Sequence, residues 1–443
     1  MGGGVCGRRA SVGGIRAEDE VVGLCRDLIR IDTTNAGDNA GPGERVAAEY
    51  VAEKLGEVGV RAQVLESAGR RANVVARVEG VDPGRDALVL HGHLDVVPFD
   101  AGDWKLHPLS GEVADGCVWG RGAVDMKDMD AMILAVMRQR LSEGRRPPRD
   151  VVLVFTADEE AGGEYGAQWL AREHRELFEG CTEAIGEVGG FSVSVEEGRR
   201  LYLIEAAEKG IAWMRLTAAG RAGHGSMLNS DNAVTELAEA VGRIGRYEWP
   251  VRVTPTVRAF FKDAFDIEID AVDAAAAVSK LGPLARMVGA TLRNTANPTM
   301  LAAGYKANVI PQVATAHVDG RFLPGYEEEF FATIDELLGP NVTREFLYHD
   351  VAVETSFEGN LVRAMSDALR AEDPEARPVP YTLSGGTDLK AFSRLGIRGF
   401  GFAPLRLPAD LDFSGMFHGV DERVPVDSLR FGVRVLDRFL DAC

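Results

Sequence analysis

The chain has 443 residues, 46% of them apolar, and a formal charge of −19 at pH 7. That length exceeds one ordinary core and predicts two domains, while the acidic balance argues against nucleic acid or an anionic membrane surface as a partner. The five cysteines, Cys6, Cys25, Cys117, Cys181 and Cys443, are scattered and form no C-x-x-C pair, which points to a reducing compartment and away from a cysteine-based zinc site.

In chain order, the basic residues near the N-terminus, Arg8 and Arg9, are not followed by an apolar run, so no signal peptide is expected. Cys6 stands where a myristoylation signal after Gly2 needs serine or threonine. No apolar stretch reaches membrane-spanning length, and the cytoplasm is the expected compartment. From about residue 20 to 207, helical and strand patterns alternate: a helix over 45–58, a strand over 73–78, and a buried strand over 88–90. That alternation predicts an α/β sheet layered by helices.

The strand at 88–90 runs into His91-Gly92-His93-Leu94-Asp95. An imidazole and a carboxylate two residues apart at a strand's carboxyl end reach the edge where open α/β sheets bind ligands. A ligating histidine is commonly oriented by a carboxylate or carbonyl, so His93 is a candidate metal ligand and Asp95 its partner. Next, Trp119-Gly120-Arg121-Gly122 forms a tight loop that releases Asp125 just before a helical run over 129–137. Taken alone, Asp125 reads better as an N-terminal helix stabiliser than as a ligand. The β-branched run from 151 ends in Asp158-Glu159-Glu160 with Gly162-Gly163 behind it. Adjacent acids there are suited to divide metal binding from proton transfer. A short apolar run then ends in Glu187, with Glu183 nearby.

Near residue 208 the pattern changes to longer alternating strands. A strand from 208, a helix over 231–244, strands over 294–303 and 314–322, a helix over 327–338 and a strand over 343–349 are expected, with extra helix within 259–288. Within this region His224 is flanked by Gly223 and Gly225, Asn308 precedes Val309-Ile310-Pro311, and Arg321 follows Asp319-Gly320. Alone these residues read as a surface histidine, a turn and a surface ion pair. Further on come Ser384-Gly385-Gly386-Thr387-Asp388, whose backbone N–H groups are suited to cradle an oxygen, and Phe417-His418-Gly419-Val420-Asp421-Glu422.

The strings around His93, Asp125, Glu159-Glu160 and His418 together resemble the M20 family of co-catalytic zinc amidohydrolases and peptidases. That family includes aminoacylases, glutamate and Gly-X carboxypeptidases, acetylornithine deacetylase and succinyl-diaminopimelate desuccinylase. The resemblance runs in order from about residue 20 to the end. It implies a phosphorylase/hydrolase-like mixed-sheet α/β catalytic domain (1–207 and 355–443) with an inserted ferredoxin-like α+β lid and dimerisation domain (208–354). It also implies two Zn2+ per subunit, with Co2+ or Mn2+ as substitutes. His93 would ligate one ion and His418 the other, Asp125 would bridge them, Glu160 would join the His418 side, and Glu187, preferred over its competitor Glu183 for its glycine context, would complete the set. Glu159 would be the general base and acid, with Asp95 beside His93 as a further catalytic group. His224 would stabilise the oxyanion across a homodimer, while Asn308, Arg321, Gly385, Gly386 and Thr387 would hold the substrate. Departures from the family pattern are Val188 after Glu187, Asp128 where glycine is frequent, and Gly225-Ser226 after His224.

The expected activity is hydrolysis of an amide bond in a small carboxylate-bearing peptide or N-acyl amino acid. A deacetylase or desuccinylase of an amino-acid pathway is the alternative within the family, and a catalytically silent carboxylate-binding dimer the alternative outside it. No G-x-G-x-x-G follows a strand at a first βα turn and no G-x-x-x-x-G-K-[ST] occurs, which sets a nucleotide enzyme aside.

Overall fold

Strand Ala87–His93 is buried along its whole length because its neighbours cover both edges and a helix covers one face. It lies parallel to Val151–Thr156 on one side and to Cys181–Gly186 on the other. Arg71–Val78 adds antiparallel to Val151–Thr156, and Gln63–Ala68 adds antiparallel beyond it, so the sheet is mixed. Buried on both faces, Ala87–His93 and Val151–Thr156 read as near-continuous apolar runs rather than as alternations. Each buried valine or leucine contributes about 1.5–3 kcal/mol relative to exposure.

In the computed structural model, residues 14–37, 39–195, 199–279, 281 and 284–443 are described; the N-terminal basic stretch and Cys6 lie outside them. The described chain packs as two compact units. One comprises the residues up to Glu187 with Asn360–Pro374 and Ala403–Cys443; the other comprises Val188–Gly359 and Glu375–Phe402.

In the first unit, helix Lys127–Ser142 is the central packing element. From Lys127 to Met137 every residue is buried, and the helix packs on strand Ala87–His93 and on helices Ala17–Arg30 and Val426–Ala442. Lys127 tolerates this position because its Nζ donates to the carbonyls of Leu28 and Ile31, each at 3.0 Å, while burial pushes its amine down to about 8. The helix expected over 45–58 is Arg45–Gly56.

The second unit contains the expected strand–helix–strand–strand–helix–strand order: Gly210–Ala219, Ala233–Arg246, Thr295–Ala303, Val313–Phe322, Glu327–Leu338 and Val342–Asp350. These strands form a 4-stranded antiparallel sheet with Gly210–Ala219 and Val313–Phe322 in the middle. Period-two alternation turns Ala212, Met214, Leu216 and Ala218 into a core with Leu237, Ile244, Phe330 and Ile334 of the two helices. The extra helix expected within 259–288 is three pieces, Pro255–Phe265, Ala274–Val278 and Leu284–Gly289. Strand Arg200–Glu208 also belongs to this unit, because it pairs in parallel with Ala376–Leu383. The compact units therefore divide before the strand that precedes residue 208.

Candidate active site

Three parallel strands ending at one sheet edge deliver most of the site. His93 closes the first, Asp158-Glu159-Glu160 follow the second, and Glu187 follows the third after Gly186. Asp158 turns the chain at φ 66, and its carboxylate secures the turn by accepting from Asn35 Nδ2 at 3.0 Å and Tyr165 N at 3.1 Å. The Gly120–Gly122 turn supplies Asp125, and the segment after Phe413 supplies His418.

His93 is completely buried. Its Nδ1 lies 3.0 Å from the backbone oxygen of Asp95, which can only accept; Nδ1 therefore carries a proton, and in the neutral ring the lone pair is left on Nε2. Around Nε2 stand Asp125 Oδ1 at 3.1 Å, Glu187 Oε2 at 3.3 Å and Glu159 Oε2 at 4.0 Å. The other oxygen of Asp125 lies 3.3 Å from His418 Nε2, and Glu160 Oε2 lies 3.1 Å from the same nitrogen. One carboxylate thus spans two imidazoles. Glu183, the competitor of Glu187, is turned away into an ion pair with Arg149 at 2.8 Å.

The Asp95 carboxylate takes a position the sequence did not reveal. It accepts from the backbone N–H groups of Glu159 and Glu160 at 3.0 and 3.1 Å and from Asn35 Nδ2 at 2.9 Å. Asn35 Oδ1 in turn accepts from Arg71 at 2.9 Å, and Arg71 pairs with the buried Glu44. Nothing in the local string around Asn35 or Arg71 signalled this.

Crowding shapes the charges. Burial, then the neighbouring Asp125, pushes Glu160 up to about 7, and burial raises Glu187 to about 8 against the pull of His93. Hydrogen bonds to Asp125 and Glu160 raise His418 to about 10. Burial opposes a charge on His93, but Glu187, Asp125 and Asp95 outweigh it and hold the imidazole well above its ordinary value. Asp125 is also buried, yet its two imidazole partners keep it below the usual carboxylate range. Acids shifted up beside imidazoles shifted up mark a site where positive charge is favoured, a need that a bound cation also meets. Ligand atoms of His93, Glu159 and Glu187 fall within 4.8 Å of one another, as do those of His93, Asp125 and Glu160. Glu160 Oε1 is buried without a hydrogen-bond partner. Imidazole nitrogens and carboxylate oxygens are the donor types zinc accepts. The residues fit a divalent metal.

Comparison with known proteins agrees with this chemistry. Residues 89–442 match the model of peptidase family M20/M25/M40. The chain belongs to that family. It is therefore a hydrolase acting on C–N bonds. It is 29% identical over 384 residues to an N-fatty-acyl-amino acid synthase/hydrolase PM20D1 of Xenopus tropicalis, covering 81% of this chain and 72% of the relative. It is 26% identical over 444 residues to human aminoacylase-1, covering 97% and 96%. In fold, this M20 member is similar to a metallo-carboxypeptidase of Sulfolobus solfataricus, with a TM-score of 0.75 at 20% identity over 96% of this chain and 99% of the other. Human carnosine dipeptidase 1 follows with 0.69 at 16% identity, over 96% and 95%.

The remaining residues singled out in the sequence lie in the second unit. Gly223 and His224 pair with Ile310 and Val309, and Asn308 O accepts from Gly225 N at 2.9 Å, so His224 and Asn308 are brought together. His224 Nδ1 is engaged by Ser226, whose Oγ lies at 2.8 Å and whose N lies at 3.3 Å. Arg321 is paired with Asp319 through Nε and Nη2, at 2.7 and 3.2 Å. Thr387 departs from expectation. Its N–H and its hydroxyl each bond the buried Glu208 carboxylate at 2.8 Å, so both of its donors tie down the loop instead of facing a ligand. At Gly386 a Cβ would run into Lys390 and Ile211, which explains glycine there. Asp128 does not act as a side-chain N-cap, since the cap residue is Met126; it is buried, and burial raises its carboxyl well above the ordinary value. Val188 sits at φ 53, left-handed backbone that is costly for a β-branched residue and that accounts for glycine at this place in the family pattern. Among the described residues, Cys25, Cys117, Cys181 and Cys443 are free thiols, and no helix is long and apolar enough to cross a membrane.

Proposed function

We propose that the protein hydrolyses the amide bond of a small carboxylate-bearing substrate, an N-acyl amino acid or dipeptide, with two zinc ions per subunit. The observation that carries this reading is Asp125, whose two oxygens each approach a different imidazole. His93 and Glu187 would hold one ion, His418 and Glu160 the other, and Asp125 both. Bound zinc polarises a carbonyl and lowers the pKa of water.

The chain's own residues do the rest. Asp95 holds the proton of His93 on Nδ1 through its carbonyl and, through its carboxylate, fixes the backbone of Glu159 and Glu160. Glu159, 14% exposed at its side chain, takes a proton from the attacking water and returns it to the leaving amine, as a general base and then acid. His224 donates from Nε2 to the developing oxyanion, a preorganised contribution to the transition state. The 4-stranded unit would serve as a ferredoxin-like lid, with His224 acting across a homodimer formed through it. Arg321 offers its Nη1 side to the substrate carboxylate while Asp319 holds the other edge. Asn308 and the backbone of Gly385 and Gly386 complete recognition. The free thiols agree with a reducing cytoplasm.

The deciding experiment is turnover by zinc- or cobalt-loaded protein on a panel of N-acyl amino acids and dipeptides, read by mass spectrometry. Cleavage that a chelator abolishes and zinc restores supports the reading and identifies the acyl or peptide branch. Full metal loading without cleavage of any member would favour a narrow substrate outside the panel first, and a carboxylate-binding protein second.

A further inference from the structure

We infer that Glu422 is a positioning residue that sets the bridging carboxylate of Asp125 against His418. This inference rests on the two-ion reading above. Glu422 is completely buried and stands four residues after His418, so it is tied by the chain to one side of the site. Its carboxylate is spent entirely on the loop that carries Asp125. Oε1 accepts from Val124 N at 2.7 Å and Asp125 N at 3.2 Å. Oε2 accepts from Arg121 Nη1 at 2.9 Å and Gly122 N at 3.1 Å. The backbone adds to this, since Gly120 N donates to Glu422 O at 3.0 Å.

A buried carboxylate with four donors has each oxygen satisfied. The donors belong to one short loop, so a single side chain fixes that loop's path from Arg121 to Asp125. Arg121 is fixed in turn by its guanidinium lying 5.0 Å from the Trp104 ring centre. On the next residue, Arg423 pairs with Trp119 across a short antiparallel ladder, which continues the same tie between the two segments. His93 and Glu187 do not depend on it. They are held by adjacent parallel strands and by the Asp95 carbonyl. Loss of Glu422 should therefore loosen the His418 side of the site more than the His93 side.

The test is zinc binding to purified wild-type and Glu422→Gln protein, followed by competition with a chromophoric chelator and by metal content. An amide in place of the carboxylate turns a donor toward the Gly122 or Val124 N–H, so the loop loses part of its anchor. The expected result is one ion retained at wild-type affinity and the second bound roughly ten-fold or more weakly, in the range typical of lost outer contacts at metal sites. In kinetics, kcat should fall with KM little changed. Arg121→Met, which keeps the three backbone donors, should weaken the second ion in the same direction by a smaller factor, and it decides the matter if Glu422→Gln does not fold. Two ions bound at wild-type affinity in the soluble variant, or both weakened equally, would overturn the inference while leaving the two-ion reading intact. Fewer than two ions in the wild type would overturn that reading, and this inference with it.

Discussion

The backbone oxygen of Asp95 stands 3.0 Å from His93 Nδ1, so a residue two places along the chain decides which nitrogen of the imidazole faces the site. The same residue's carboxylate accepts from the N–H groups of Glu159 and Glu160. Asp95 thereby couples three groups with different proposed tasks: a ligand, a proton carrier and a second ligand. Its carboxyl is buried, yet hydrogen bonding and charge from His93 hold it below the usual range, so it remains an acceptor.

Asp95→Asn should disturb that coupling without removing the carbonyl. The new amide must turn a donor toward a backbone N–H or toward Asn35. A loss of roughly 10–100-fold in metal affinity or activity is expected, measured by chelator competition and steady-state kinetics. Wild-type behaviour on both counts would mean that the Asp95 carbonyl alone is sufficient.

Glu159→Gln should keep both ions and lose most turnover, by about 10²–10⁴-fold. The side chain lies farther from His93 Nε2, at 4.0 Å, than Glu187 at 3.3 Å, which suits a proton carrier better than a ligand. Loss of one ion from this variant would reassign Glu159 to metal binding.

His418→Ala should leave one ion in place and release the other, read as metal per chain after dialysis against dilute chelator. His418 has a more exposed side chain, at 59%, than the fully buried His93, so its ion should also be the first lost from the wild type. Unchanged two-ion content in the variant would remove His418 from the ligand set.

Gly92→Ala should destabilise the first unit. An added Cβ would overlap the Asp130 carboxylate and come within 3.4 Å of Met126 Cε, and Asp130 is fully buried. Overpacking of this kind costs about 1–3 kcal/mol, seen as a lower midpoint in denaturant. Unaltered stability would show that Asp130 can turn aside.

Lys209 should make stability depend on pH. Burial, then Arg321, pushes its amine down to about 7, while its Nζ donates to the carbonyls of Ala290 at 3.1 Å and Arg293 at 2.7 Å. Between pH of about 7 and the ordinary lysine value of ~10.4, the unfolded chain binds more protons at this group than the folded one. Stability from this group therefore rises with pH across that window. Thermal unfolding of wild type and Lys209→Met should show the wild type gaining relative to the variant from pH 7 to pH ~9.5; a constant difference would mean the folded amine stays charged.

Much of this site was legible because its residues occur in compact strings at the ends of apolar runs. His93, Asp125, Glu159, Glu160 and His418 each carry a local pattern of glycines and strand residues that a single chain displays. Glu187 was harder to distinguish from Glu183, since the two are near in sequence. Packing separates them, by turning Glu183 to Arg149 and Glu187 to His93. The family resemblance implies a substrate role for Thr387, but its partner Glu208 lies 179 residues away and no local pattern announces that contact.

The amino-acid sequence by itself determined the family, the alternating α/β elements and the candidate ligands, because periodicity and motif chemistry are written over a few consecutive residues. The tertiary structure decided the supporting contacts. Asn35 meets Asp95 across 60 residues and Glu422 meets the Asp125 loop across about 300. Buried polar groups must find partners wherever the fold brings them, and a hydrogen bond between distant segments leaves no periodic trace in either one. The approach of Glu187 to His93 thus follows from parallel strands ending at one sheet edge, and the anchoring of Asp125 from the distant Glu422.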